Sequence, residues 1–153
     1  MRFRFGTDGA DPARTLVVDG TAAGFPTLSH WPGHRTPMAL RHDLSTGIAL
    51  AWARLTPSER RALLGPVHEV ANTHYDTDGV LSVFTVLRPY DALAREEDML
   101  AAAATCDFGS WHGEAALAID LTIMGLPRHR ASPLPPQLAP DADAHTPWEA
   151  ASP

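Results

Sequence analysis

The sequence predicts an α/β domain, a small sheet with flanking helices. Three observations point there. Short β-rich runs alternate with segments of helical periodicity, the runs stop at glycine or proline, and a nearly all-apolar segment follows the third run, as suits a buried helix leaving a strand's end. Only three strands are visible, so the sheet is expected to be small. Residues 1–126 form the single predicted domain. Residues 127–153 hold seven of the fourteen prolines and are expected to be a disordered, proline-rich tail.

Each element follows from its local signals. Thr15-Leu-Val-Val-Asp19, closed by Gly20, and Phe25-Pro-Thr-Leu-Ser-His30, closed by Trp31-Pro32-Gly33, read as strands. Thr36 can cap a helix with Pro37 in its first position. Leu40, Leu44, Ile48, Ala51, Trp52 and Leu55 then recur at helical spacing, which predicts one helix over 37–55 with His42 opposite the apolar stripe and Asp43 beyond its edge. Thr56 and Pro57 open a short helix that Gly65-Pro66 closes. Val67 to His74 reads as the third strand. Val80, Leu81, Val83, Phe84, Val86 and Leu87 suit a buried helix, although a buried strand fits the same run. Asp91 can cap a helix that continues through Ala104 until Cys106-Asp-Phe-Gly109 breaks it, and Glu114 to Met124 reads as a last apolar helix.

Composition removes several classes of function. At 44% hydrophobic and 20% charged residues, the chain is ordinary for a globular protein. No apolar run approaches the ~18 residues of a membrane span, and the start lacks the apolar core of a secretory signal, so a cytoplasmic protein with no membrane partner is expected. A net charge of −6 opposes the phosphate attraction behind nucleic-acid affinity, which argues against long DNA or RNA partners. The single cysteine, Cys106, permits neither an intramolecular disulfide nor a thiolate metal cage within one chain. No positive partner or helix start is evident to activate it as a nucleophile. Ser110 lacks a Gly-x-Ser-x-Gly elbow, and without lysine the chain has no Gly-Lys phosphate loop.

Histidines and aspartates carry the remaining signal. In His74-Tyr-Asp76-Thr-Asp78-Gly79 alternate side chains share a direction while the backbone stays extended, so His74, Asp76 and Asp78 can converge at the end of the third strand. One imidazole and two carboxylates suit Mn²⁺ or Mg²⁺ better than a softer metal. Gly79 would let the chain turn tightly into the next helix. A turn with a helix cap and a hydrogen-bonded histidine explains the same residues without a metal. His30 and His34, in the loop after the second strand, are further candidate ligands. Trp31 between them reads as a packing anchor. Asp107, followed by Phe108, Gly109 and His112, offers the additional carboxylate that a two-metal site would need.

These strings resemble an uncharacterised bacterial family of unknown function: Leu28-Ser-His-Trp-Pro-Gly33, Thr36-Pro37, Leu40-Arg-x-Asp-Leu-Ser45, Asn72-x-His-x-Asp-x-Asp-Gly79-x-x-Ser-Val-Phe84 and Asp107-Phe-Gly109. The resemblance covers about residues 15 to 125. Members continue further, which raises the question of an absent carboxyl-terminal part. A weaker resemblance is to the DHH phosphoesterases, whose first motif places His74, Asp76, Asp78 and Gly79 between a strand and a buried helix, and whose second is similar to Asp107-Phe-Gly109. Their name-giving Asp-His-His should come later, whereas Ser29-His30-Trp31 comes earlier and keeps one residue of the three, as in a permuted or diverged relative. The resemblance implies DHH-like or Rossmann-like layers, in incomplete form.

Three functions follow as expectations. The first is a metal-dependent phosphoesterase-like hydrolase of a small phosphorylated or nucleotide substrate. His74, Asp76, Asp78, Asp107 and His30 would hold Mn²⁺ or Mg²⁺, with Asp78 and His74 central to catalysis and Arg35 or Arg41 contacting phosphate. Asp78→Ala would then abolish turnover without unfolding the domain. The second is a non-catalytic metal- or ligand-binding protein. The third is a structural partner whose histidines satisfy interior hydrogen bonds.

Overall fold

The structure, a computed structural model, describes residues 1–126; the expected tail, residues 127–153, lies outside the described residues. Strands β1 (Arg2–Phe5), β2 (Thr15–Val18), β3 (Thr27–Leu28) and β4 (Glu69–Asn72) form one parallel sheet in the order β1-β4-β2-β3. The α/β class is as the sequence predicts, with four strands rather than three. The additional one is Arg2-Phe-Arg-Phe5, whose alternation puts Phe3 and Phe5 against the core and the two arginines on the other face.

Six helices follow: α1 (Ser45–Ala53), α2 (Pro57–Leu64), α3 (Thr77–Leu87), α4 (Pro89–Leu93), α5 (Glu96–Phe108) and α6 (Glu114–Gly125). Leu16, Val18, Leu28 and Val70 on one sheet face pack against Ile48, Ala49 and Trp52 of α1 and Val83 and Val86 of α3. Burying one such leucine contributes ~1.5–3 kcal/mol. A second cluster joins Leu44, Leu50 and Leu81 to Met99, Ala102 and Ala103 of α5 and Ile123 of α6, making an outer helical layer. The apolar part of the opposite sheet face is Val17 and Ala71, covered by Phe25 with Ala10 and Ala22 from the loops. No described helix is long and apolar enough to cross a membrane.

Two helical expectations are corrected. The segment 37–55 is not one helix: Met38–Leu40 forms a single 3₁₀ turn, the chain extends through Leu44, and α1 starts at Ser45. Thr36 caps nothing. Its hydroxyl exchanges two hydrogen bonds of 2.8 Å with the Ser29 backbone and ties the loop to the end of β3. His42 therefore precedes α1 and accepts from Leu44 N–H at 3.0 Å. Likewise, Asp91 lies inside α4, which opens at Pro89, and α5 starts separately at Glu96 and runs through Phe108 to the left-handed Gly109. The run over 80–87 is helical, as α3. The Thr56 cap of α2 is present, with Glu59 completing a reciprocal capping box.

Candidate metal centre

All four strands point their carboxyl ends toward one edge of the sheet, and the acidic and imidazole side chains gather there. At the end of β4, Asn72 Oδ1 accepts from His74 N–H at 2.9 Å and turns the chain out of the strand. Alternation therefore stops before Asp76. Asp76 instead caps α3, accepting from Gly79 N–H at 2.8 Å, and His74 Nε2 lies 2.9 Å from its other oxygen. Asp78, on the first turn of α3, faces α1. Its carboxylate accepts from Ser45 N–H at 2.8 Å and Thr46 N–H at 2.7 Å, and it is fully buried. The expected extended array of three ligands is thus replaced by a cap of α3, a cap of α1 and a loop histidine.

The residue that reunites them is Asp19, which sequence reasoning took only as the end of β2. It is 1% exposed and adopts φ of 45°, a conformation that aspartate tolerates better than most residues. Its Oδ1 accepts from Trp31 Nε1 at 3.1 Å. Its Oδ2 lies 3.1 Å from His74 Nε2, which is also 2.9 Å from Asp76 Oδ2; one ring N–H faces two carboxylates, and Asp19 Oδ2, fully buried, has no hydrogen bond of its own. Asp19, His74 and Asp76 offer ligand atoms within 4.8 Å of one another, and so do Asp19, His30 and Asp78. Asp19 belongs to both groups. The signal that could have found it is the same strand-end carboxylate before glycine, Val18-Asp19-Gly20.

His30, from the end of β3, has Nδ1 at 3.2 Å from Ser45 Oγ and 3.4 Å from Asp78 Oδ2, while its Nε2 is 3.7 Å from Asp107 Oδ2 on the last turn of α5. His30, His74, Asp76, Asp78 and Asp107 therefore all meet at this edge. His34 does not. Its Nδ1 accepts from Thr36 N–H at 3.1 Å, a local turn. His112 bonds Ser110 instead. Cys106 is half-buried, and burial raises its thiol pKa, which fits an inert thiol.

Electrostatics record the crowding. Burial is the main force raising the Asp19 pKa, with repulsion from Asp78 and Asp76 adding to it. The Asp107 carboxyl is pushed up to about 7 by burial and then by Asp78, Asp19 and Asp76. Burial opposes the charging of His74, but the Asp19 and Asp76 carboxylates outweigh it and lift its pKa to about 10. His30 is raised chiefly by its contact with Asp78. Carboxylates held this close repel one another unless a positive charge stands among them. Four carboxylates and two imidazoles form an oxygen-rich donor set that fits Mn²⁺ or Mg²⁺.

Gly79 serves this arrangement by its lack of a side chain rather than by a tight turn, since its backbone is helical. A Cβ there would meet Asn72 Nδ2 at 2.4 Å, Asp76 Oδ1 at 3.0 Å and Asp19 Oδ2 at 3.1 Å.

Beside His30 an open cavity of about 320 Å³ is lined by Ser29, His34, Arg41, His42, Asp43 and Ile48. Arg41, one of the two expected phosphate contacts, lies on its wall. The other, Arg35, is exposed and is not among its lining residues; its backbone N–H bonds Thr27 Oγ1 at 2.6 Å. Trp31 is 41% exposed, with its ring 4.9 Å from that of His74.

The model of a family of unknown function (DUF6687) matches residues 3–147. No curated protein and no solved structure matches.

Proposed function

The chain belongs to this family of unknown function, and from the carboxyl edge of its sheet we propose a divalent-metal-dependent hydrolase of a small phosphorylated or nucleotide substrate. One observation carries the reading. Asp19 Oδ2 is a buried carboxylate oxygen with no hydrogen-bond partner, within reach of His74 with Asp76 and of His30 with Asp78. His74 is shared between the Asp19 and Asp76 carboxylates, so the repulsion among Asp19, Asp76 and Asp78 is only partly offset, and a cation among these groups would remove the rest.

Mn²⁺ or Mg²⁺, when bound, would supply Lewis acidity and an acidified water. Asp19, His74, Asp76, His30 and Asp78, with Asp107 beside His30, would be the residues that hold it. The chain's own groups do the rest. Arg41 can fork onto phosphate oxygens in the adjoining cavity. Trp31 packs its ring against His74 and, through its Nε1–H on Asp19, helps to position both groups.

A second reading, a non-catalytic metal-binding protein, is favoured by Asp78, whose two oxygens are already engaged with α1. Turnover separates the two. The Mn²⁺-loaded chain is expected to hydrolyse a phosphoester within a panel of phosphomonoesters, dinucleotides and cyclic nucleotides, and Asp19→Asn to abolish it. Binding without turnover on any of them leaves the second reading, and no binding of Mn²⁺, Mg²⁺ or Zn²⁺ removes both.

A further inference from the structure

The acidic edge has a basic counterpart at the other end of the same strands. In a chain of net charge −6, Arg2, Arg4, Arg14 and His68 line one cavity of about 380 Å³, together with Gly9, Asp11 and Glu69. Arg2 and Arg4 share a face of β1, and Arg14 and His68 immediately precede β2 and β4. The cavity thus sits on the sheet face that loops, not helices, cover.

The arginines are arranged before any ligand arrives. Glu69 is the organiser. Its Oε1 accepts from Arg2 Nε at 2.6 Å, and its Oε2 lies 3.4 Å from Arg4 Nη1 and 3.1 Å from Thr15 Oγ1. Arg4 is fixed again by donating from Nη2 to Asp8 O at 2.7 Å. With Glu69 fully engaged, Arg4 Nε is buried without an acceptor, and the exposed Arg14 guanidinium has no hydrogen bond or ion pair among the described residues, which leaves it free for a ligand. A buried cationic donor with no acceptor is unusual in a native structure, and its natural complement is an anion. Asp11, also on the wall, opposes an anion, but its Oδ1 is held by Ala13 N–H at 2.9 Å.

We propose that this cavity binds the phosphate dianion of a small molecule, or free phosphate, between Arg14 and Arg4. Guanidinium forks match phosphate oxygens two at a time, and low salt strengthens the contact. The site is separate from the candidate metal centre. Four residues of β4 lie between them, a span of roughly 10 Å or more, which one phosphate cannot bridge. The inference does not rest on the proposed hydrolase activity.

The test uses the full chain, treated with chelator so that no cation can recruit phosphate to the acidic edge. Calorimetric titration with inorganic phosphate and with glycerol 3-phosphate at low salt is expected to show saturable binding of at least one. Tighter binding of the monoester assigns an organic ligand, and equal or weaker binding assigns free phosphate. Arg14→Ala should weaken it at least ~10-fold, a change of about 1.4 kcal/mol. Arg14 is exposed and contributes its carbonyl, not its side chain, to the fold, so this variant folds. Asp19→Asn should bind as the parent does. No saturable binding of either probe up to ~10 mM would overturn the proposal. So would binding that survives Arg14→Ala but fails in Asp19→Asn.

Discussion

Asp78 on α3 caps α1: its Oδ1 accepts from Thr46 N–H at 2.7 Å and its Oδ2 from Ser45 N–H at 2.8 Å. Leu44, the residue at the N-cap position, has no side chain able to do this, so α1 borrows its cap from a residue over thirty positions away. The same carboxylate is negative at the positive end of a helix dipole. The expectation that Asp78→Ala would spare the fold is therefore replaced. Each stranded buried N–H costs ~1–3 kcal/mol. We expect Asp78→Ala to lower Tm by roughly 5–15 °C, and Asp78→Asn, which keeps one acceptor, by about half as much. A Tm for Asp78→Ala within a degree or so of the parent would show that the cap carries no stability.

Asp19 makes the opposite prediction. In the absence of metal its carboxylate is buried beside Asp76 and Asp78, with Oδ2 facing only the His74 ring that Asp76 shares, while Oδ1 holds Trp31. Asn in its place keeps the acceptor for Trp31 and removes the charge. Metal-free Asp19→Asn should melt at or above the parent's temperature. Excess Mn²⁺ should stabilise the parent by ~2.7 kcal/mol at a hundredfold excess over Kd and leave the variant unchanged. Equal Mn²⁺ shifts in both proteins would remove Asp19 from the site.

Much of this architecture is local and so was legible in the residues. The Thr56 cap with Pro57 behind it, the β2 run and the apolar spacing of α3 each lie within a dozen residues, and each forms where expected. What escaped depends on contacts between distant segments. The helix expected over 37–55 begins eight residues late because its cap is Asp78, which no local pattern marks. Strand β1 is a four-residue edge strand whose Arg-Phe alternation becomes a strand only by pairing with β4. Of the candidate residues, His74, Asp76, Asp78 and His30 lie close together with Asp107 beside His30, yet not by strand periodicity, and Asp19 joins them only because β2 and β4 are neighbours in the sheet.

Asp107 gives the metal-free chain a pH dependence with a definite sign. Its folded pKa, about 7, is above the model-peptide value of 3.8, so the folded chain binds its proton more tightly than the unfolded chain does. That contribution is complete below about pH 4 and is lost as pH rises through 7. His30, also raised, acts in the same direction. Ordinary carboxylates are already ionised above pH ~5, so between pH ~5 and ~8 the metal-free parent should lose stability. Asp107→Asn should flatten this slope in urea titrations at constant ionic strength. An identical slope in the variant would place the titration elsewhere.

Gly79 and Gly125 allow a controlled comparison, because both are helical glycines for which alanine has better propensity by ~1 kcal/mol. At Gly125 an added Cβ meets nothing within 4 Å, so Gly125→Ala should be neutral or slightly stabilising, within the loss expected of a helix end. At Gly79 the methyl would meet Asn72 Nδ2 at 2.4 Å, a distance that real Cβ atoms do not adopt, with Asp76 Oδ1 at 3.0 Å and Asp19 Oδ2 at 3.1 Å. Asn72 is fully buried and its Oδ1 holds the His74 backbone, so it cannot withdraw without moving the loop that carries His74. Overpacking of this kind costs ~1–3 kcal/mol. Gly79→Ala should therefore melt lower than the parent in chelator and should also lose most of its Mn²⁺ stabilisation, since the displaced groups are the proposed ligands. A variant that melts lower yet keeps the full Mn²⁺ shift would show that Gly79 serves packing alone and that the cation, if bound, does not sit against Asp19 and Asp76.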